Sequence, residues 1–163
     1  MSLRRRGREF ALQMLFQVDM TDQKPQEVMP LFWQSHTVGD DVKQFAEDLF
    51  QGTVQIRPRL DTLLARTSAH WRLDRMPVVD RNLLRMALYE MLFQPDTPRV
   101  VVINEAIEIA KRFGSEDSGQ FINGVLDQLR ERIVGLDAPE MSEPVHMLEM
   151  LEHVLAGEAE ERR

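Results

Sequence analysis

The chain has 163 residues, 43% of them apolar and 29% charged, with a net charge of −7, the make-up of a folded chain with enough length for one domain and its core. No apolar run nears the roughly 20 residues that span a bilayer, and the opening arginines run into a mixed stripe rather than a signal peptide's apolar stretch. Cysteine is absent, which excludes disulfides, thiolate catalysis and thiolate-bound metal, and a cytoplasmic location is expected.

The helices are read in chain order. Arg4, Arg5, Arg6 and Arg8 crowd the start of a helix over 4–20, whose apolar arc is Phe10, Ala11, Met14, Leu15 and Val18. Cations at a helix N-terminus oppose the macrodipole by a few tenths of a kcal/mol each. A bound phosphate reverses that penalty, since the free backbone N–H groups and the arginines then attract the same anion. Arg4 and Arg8 fall at the edge of the apolar arc, so the first turns are expected to overhang the body and stay open to solvent. Four such contacts to a single-stranded nucleic acid predict a slope of log K against log salt of about −3.

A turn at Thr21–Pro25 leads to a short helix carrying Val28, Leu31, Phe32 and Trp33. Asp40 or Asp41 is the expected N-cap of the next, with Val42, Phe45, Ala46, Leu49, Phe50 and Val54 on its stripe. Pro58 should end or kink it before Leu60, Leu63 and Leu64 continue the spacing. Asp74 and Pro77 mark another start, and Val79, Leu83, Met86, Ala87 and Met91 supply a long stripe that ends before the breaker Gln94–Pro98. Val101–Phe113 reads as a helix closed by Gly114, and Ser118 as the cap of a last core helix through Ile133. Asn104 and Asn123 within these stripes are expected to be buried and hydrogen-bonded, with Gly124 at a close helix crossing. No strand pattern intervenes.

Residues 136–163 hold eight acids against two bases, so residues 1–135 are near neutral at −1. The boundary divides a body, 1–135, from an acidic tail, 136–163. Within the tail Met147, Leu148, Leu151, Val154 and Leu155 repeat at helical spacing. That apolar side needs covering, either by the chain's own body or by a second copy in a homodimer. His146, Glu149 and His153 share the tail helix, but the histidines stand about 10.5 Å apart along its axis, too far to share one ion. No metal, nucleotide cofactor or nucleophile–base signature is expected.

Three blocks carry a family resemblance: Arg4-Arg-Arg-Gly-Arg-Glu-Phe-Ala-Leu-Gln-Met-Leu-Phe16, Asp80-Arg-Asn-Leu-Leu-Arg-Met-Ala-Leu-Tyr-Glu90, and Ile103-Asn-Glu-Ala-Ile-Glu-Ile-Ala-Lys-Arg-Phe-Gly-Ser-Glu-Asp-Ser-Gly-Gln-Phe-Ile-Asn-Gly-Val-Leu-Asp127. In this order they resemble the bacterial transcription antitermination factors of the NusB family over residues 3–133, with the tail outside the pattern. The resemblance implies an all-α fold of about seven core helices in two small bundles set roughly perpendicular, to which the tail adds a C-terminal acidic amphipathic helix. It further implies no catalysis and no cofactor. The implied partners are boxA-type single-stranded RNA, the ribosomal protein NusE and the RNA polymerase antitermination complex, in the service of ribosomal RNA operons.

Residue by residue, the resemblance places RNA contacts at Arg4, Arg5, Arg6, Arg8, Phe16 and Phe121, and partner contacts at Asp80, Leu84 and Asp117. Arginine suits phosphate through its planar fork, and aromatic rings suit unstacked bases. Phe16 stands where the family has a tyrosine, so it can stack but has no hydroxyl to donate. Phe121, Val125 and Leu129 also form an ordinary core stripe, Asp80 also suits the first turn of a helix, and Glu116 and Asp117 would repel phosphate. Two other readings stand beside this one. One is a self-associating helical protein. The other is the helical domain of RNA cytosine methyltransferases, which the lack of cysteine and of a Rossmann-like segment opposes.

Overall fold

In the computed structural model, residues 2–67, 72–136 and 143–161 are described, and among them all regular structure is helical. The elements are α1 Leu3–Met20, α2 Pro25–Gln34, α3 Asp40–Gln55, α4 Arg57–Thr67, α5 Val78–Phe93, α6 Arg99–Phe113, α7 Ser118–Val134 and α8 Pro144–Glu161, with a 3-10 turn Leu73–Arg75 ahead of α5. The expected spans hold to within a few residues. Gly39, rather than an aspartate, caps α3, and Asp40 and Asp41 sit in its first turn where they complement the dipole. The break at Pro58 falls at Ile56, and the proline occupies the start of α4, where its missing N–H costs nothing.

α5 is the centre. Its buried residues run right round the helix, from Leu83, Leu84, Met86 and Leu88 to Met91 and Leu92, as an internal helix requires. α1 and α3 pack on it, with α2 against those two, while α6 and α7 pair with each other and cover another side; α4 lies against α5 and α7. Polar groups on α5 are buried too, and partners from distant segments satisfy them. Asp19 of α1 accepts hydrogen bonds from Arg81 at 2.7 and 2.9 Å, from Asn82 at 2.8 Å and from Arg85 at 3.1 Å. Arg85 also holds Asp61 of α4 through a fork at 2.6 and 3.0 Å, tying three helices together.

Burial alone would raise the Asp19 carboxyl, but the hydrogen bonds from Arg81 and Asn82 and the charge of Arg85 outweigh it and hold it at about 2. A folded-state value below the ordinary 3.8 means stability that is present above the unfolded value and lost as pH falls through about 2. The size is on the order of 2 kcal/mol. In urea titrations the gap between wild type and Asp19→Asn should therefore stay constant above about pH 5 and narrow as the pH falls from there to about 2.5. A gap independent of pH would show that the carboxylate's ionisation does not support the fold.

α8 settles what covers the tail's apolar side. Leu148, Leu151 and Leu155 are at most 2% exposed, packed on α4, α5 and α7 of the same chain. Each such leucine contributes about 1.5–3 kcal/mol of burial as an upper figure. Glu152 and Glu158 reach back to Arg59 and Arg132, so two of the tail's acids face the body. The leucines of the stripe that motivated a homodimer are thus occupied internally, while Val154 stays exposed. The expected linker residues 137–142 lie outside the described segments.

A second correction concerns the asparagines. Asn104 and Asn123 are exposed, not buried, because α6 buries Val102, Ile103, Ala106 and Ile109, and α7 buries Ile122, Val125, Leu126 and Leu129, turning the asparagines outward. A side chain at Gly124 would meet open space, so no helix crosses there.

Candidate nucleic-acid interface

The arginine-rich tip is docked, not overhanging. Ser2 caps α1 by accepting the Arg5 N–H at 3.1 Å. A Cβ on Gly7 would stand 2.8 Å from Phe45, so the glycine lets α1 lie close on α3. One residue on, Arg8 is 3% exposed and grips Glu90 of α5 through a fork at 2.8 and 2.6 Å. The expected RNA contact from Arg8 is corrected for this reason: its donors face a buried carboxylate rather than solvent. Arg5 forms a similar fork with Glu105 at 2.6 and 3.0 Å, and this guanidinium holds the Glu105 carboxyl below its usual range. The Arg5 side chain is only 32% exposed. Its role shifts toward fixing the tip on α6.

Arg4 and Arg6 differ. Both are exposed, and among the described residues neither pairs with a carboxylate. Arg4 lies over the Phe45 ring at 5.6 Å and donates to the Thr97 hydroxyl at 3.3 Å. Arg6 lies over Phe10 at 5.5 Å. These contacts orient the guanidiniums without neutralising them. Lys43 of α3, exposed over Trp33 at 6.0 Å, adds a third cation that sequence reasoning missed. It could not be found from spacing, because the proximity arises only when α3 and α2 meet beside α1.

Aromatic side chains lead away from this tip. Phe10 packs edge-on to Phe32, Trp33 and His36 with centroids 5.4–5.7 Å apart, and Phe32 and His36 line a groove of about 730 Å³. Phe16, 40% exposed, stands in that groove with Leu31, Val79 and Phe113. A second cleft, about 680 Å³, holds Phe121 with Arg72, Arg75, Met76, Asp80 and Gln120. The two adjoin at the start of α5, where Val79 faces the first and Asp80 the second, and at the α6–α7 loop, where Phe113 lines one and Ser115 the other. Phe16 and Phe121 therefore line two different clefts, and Arg4 lines a third with Leu3, Asp41, Val42 and Phe45. Arg72 and Arg75, at the mouth of the Phe121 cleft, were not singled out in the sequence. Their only signal there was proximity to the Asp74–Pro77 helix start.

The three expected partner contacts separate. Asp117 is exposed at the rim of the second cleft. Leu84 is fully buried in the core, so the partner contact expected of it is corrected: no other molecule reaches it. Asp80 is 3% exposed and accepts the Ser118 hydroxyl at 2.8 Å. That burial corrects the expected outward-facing contact. Burial pushes the Asp80 carboxyl above its usual range, and the hydrogen bond from Ser118 pulls part of the way back. Among the described residues no cluster of three or more His, Asp or Glu is set to ligate a metal, and no helix is long and apolar enough to cross a membrane. The arrangement offers cations, ring faces and an apolar groove, which are the parts of a binding surface for single-stranded nucleic acid.

The profile of the NusB family matches residues 5–131. The transcription antitermination protein NusB of Desulforapulum autotrophicum is 48% identical over 129 residues, covering 78% of this chain and 90% of that protein. Among solved structures, T. maritima NusB is 40% identical with a TM-score of 0.73, covering 78% of this chain and 90% of that one. The antitermination factors NusB and NusE in complex with dsRNA match with a TM-score of 0.72 at 24% identity, over 80% of this chain and 98% of that one, a likeness of fold. All of α8 lies beyond the family match.

Proposed function

The chain belongs to the NusB family, and from that premise we propose that it is a transcription antitermination factor which binds boxA-type single-stranded RNA together with the ribosomal protein NusE. It works without catalysis, in the cytoplasm, as an adaptor within the RNA polymerase antitermination complex that keeps transcription of ribosomal RNA operons processive. The observation that supports this best is that Arg4 and Arg6, exposed and without a carboxylate partner among the described residues, stand on the same helix as the 40% exposed Phe16 ring. Phosphates meet the two unneutralised guanidiniums, and splayed bases stack on the rings. Arg5 and Arg8 serve it indirectly by pinning the helix that carries their neighbours. The exposed carboxylate of Asp117 suits a basic ribosomal protein better than RNA, so it is assigned to the NusE side.

The test is an anisotropy titration of a boxA-type oligomer against wild type, Phe16→Leu and Phe121→Leu. Leucine keeps much of the packing volume and removes the ring face. Each replacement should weaken binding by about 1–3 kcal/mol, roughly 5- to 150-fold, with the helical circular dichroism unchanged. Wild-type affinity in both variants would remove the stacking surface from the account.

A further inference from the structure

Between α6 and α7 the chain turns through residues 114–117, beside the two clefts that hold Phe16 and Phe121: Phe113 ahead of the turn lines the first, and Ser115 and Asp117 line the second. One side chain holds this turn from inside. The Ser118 hydroxyl, 1% exposed, accepts the Ser115 backbone N–H at 2.9 Å and donates to the Asp80 carboxylate of α5 at 2.8 Å. Its single proton is committed to Asp80, so the Ser115 hydroxyl, 3.1 Å away, is the donor between the two serines. Gly114 leaves the room this requires, because a Cβ there would stand 2.5 Å from the Ser118 oxygen and 2.8 Å from the Ala110 carbonyl. Asp80 is 3% exposed, bears no ion pair among the described residues, and has Ser118 as its one hydrogen-bond partner among them.

We propose that Asp80 and Ser118 are positioning residues for RNA: their buried hydrogen bond fixes the α6–α7 turn on α5, and with it the first turn of α7 that carries Phe121. This rests on the RNA-binding reading above and adds to it how the Phe121 ring is held in place. The connection is short. Phe121 lies one helical turn beyond Ser118, and its N–H bonds the Asp117 carbonyl at 3.2 Å. A shift of the turn therefore moves the base of the helix that bears the ring. A buried hydroxyl without its acceptor, or a buried carboxylate without its donor, costs the desolvation of an unmet polar group. Either loss favours an arrangement in which the turn lifts and water meets that group. The requirement is for an acceptor on α5 rather than for a charge, since a neutral amide oxygen also accepts a hydroxyl. In an outward-facing partner contact the negative charge itself would count.

The experiment uses the full chain and two readouts, anisotropy titration of a boxA-type oligomer and hydrogen exchange of the Ser115 amide by NMR. Ser118→Ala should speed that exchange roughly tenfold or more and weaken RNA binding roughly fivefold, the worth of one buried hydrogen bond. Asp80→Ala should do the same, and the variant carrying both should be no worse than either, because one bond is lost in all three. Asp80→Asn should bring both readouts back to within about twofold of wild type, because its amide oxygen accepts the hydroxyl. Binding as weak in Asp80→Asn as in Asp80→Ala would show that the charge is used directly, and would overturn the proposal. So would faster exchange in Ser118→Ala with unchanged RNA affinity, or an effect confined to capture of a basic protein partner. Should Asp80→Ala fail to fold, Ser118→Ala and Asp80→Asn decide the matter between them. Failure of wild type to bind the oligomer overturns the underlying functional reading and this proposal with it. The two failures are distinguishable, because the exchange of the Ser115 amide is read on the protein alone.

Discussion

Arg8→Ala should lower the unfolding free energy by about 3–5 kcal/mol, a large fraction of the total for a domain of this size. The guanidinium and carboxylate of the Arg8–Glu90 pair are 4% and 1% exposed, so removing the arginine leaves the carboxylate in the interior with nothing to neutralise it. Glu90→Ala should cost less, because Arg8 keeps the Glu105 carboxylate at 4.0 Å. Replacing both, as Arg8→Met with Glu90→Leu, should recover most of the loss, because two charges no longer need to be desolvated. Urea unfolding of the two single variants and the double variant checks this. Single losses below 1 kcal/mol would mean that the pair is solvated in solution and that the tip of α1 is loose. The result also governs how arginine variants are interpreted: weaker RNA binding by an Arg8 variant would report a disturbed fold rather than a lost phosphate contact.

The helices themselves were legible because each surface helix buries one arc, and the stripes on α1, α3, α4 and α7 are intact in the sequence. What could not be seen were partners brought together over long separations. Arg8 meets Glu90 82 residues away, and Arg5 meets Glu105 100 residues away. From spacing alone, four adjacent arginines look equivalent; the fold divides them into two that brace and two that remain available. Asn104 and Asn123 misled for the opposite reason. An apolar stripe on α6 or α7 is flanked by residues that lie near it in angle, and only the position of the neighbouring helix decides which side of the stripe is sealed.

Phe16 and Phe121 stand at family positions, yet Lys43, Arg72 and Arg75 were not singled out, and Trp33 read only as part of an apolar stripe. Their contribution depends on α2, α3 and the segment before α5 arriving beside α1 and α7. For the tail, helical spacing identified the apolar side but left two covers open. The leucines of α8 closed on α4, α5 and α7 because that surface is complementary in charge as well as apolar, with Arg59 and Arg132 meeting Glu152 and Glu158.

The second large effect concerns the cations left free. Two phosphate contacts from Arg4 and Arg6 to a single strand contribute about −1.4 to the slope of log K against log salt, half of what four equivalent arginines would give. Replacing both by alanine removes that contribution along with two charge-assisted hydrogen bonds, each worth about 1.5–3 kcal/mol. The fold should be unaffected, since both side chains are exposed and bear no ion pair among the described residues. The decisive measurement is therefore the affinity of wild type and of the Arg4→Ala/Arg6→Ala variant for a boxA-type oligomer at several salt concentrations. The account predicts a loss of roughly a hundredfold or more at low salt and a slope shallower by about 1.4 in the double variant. Equal affinities and parallel slopes would contradict it, because the exposed guanidiniums at the start of α1 would then not touch RNA.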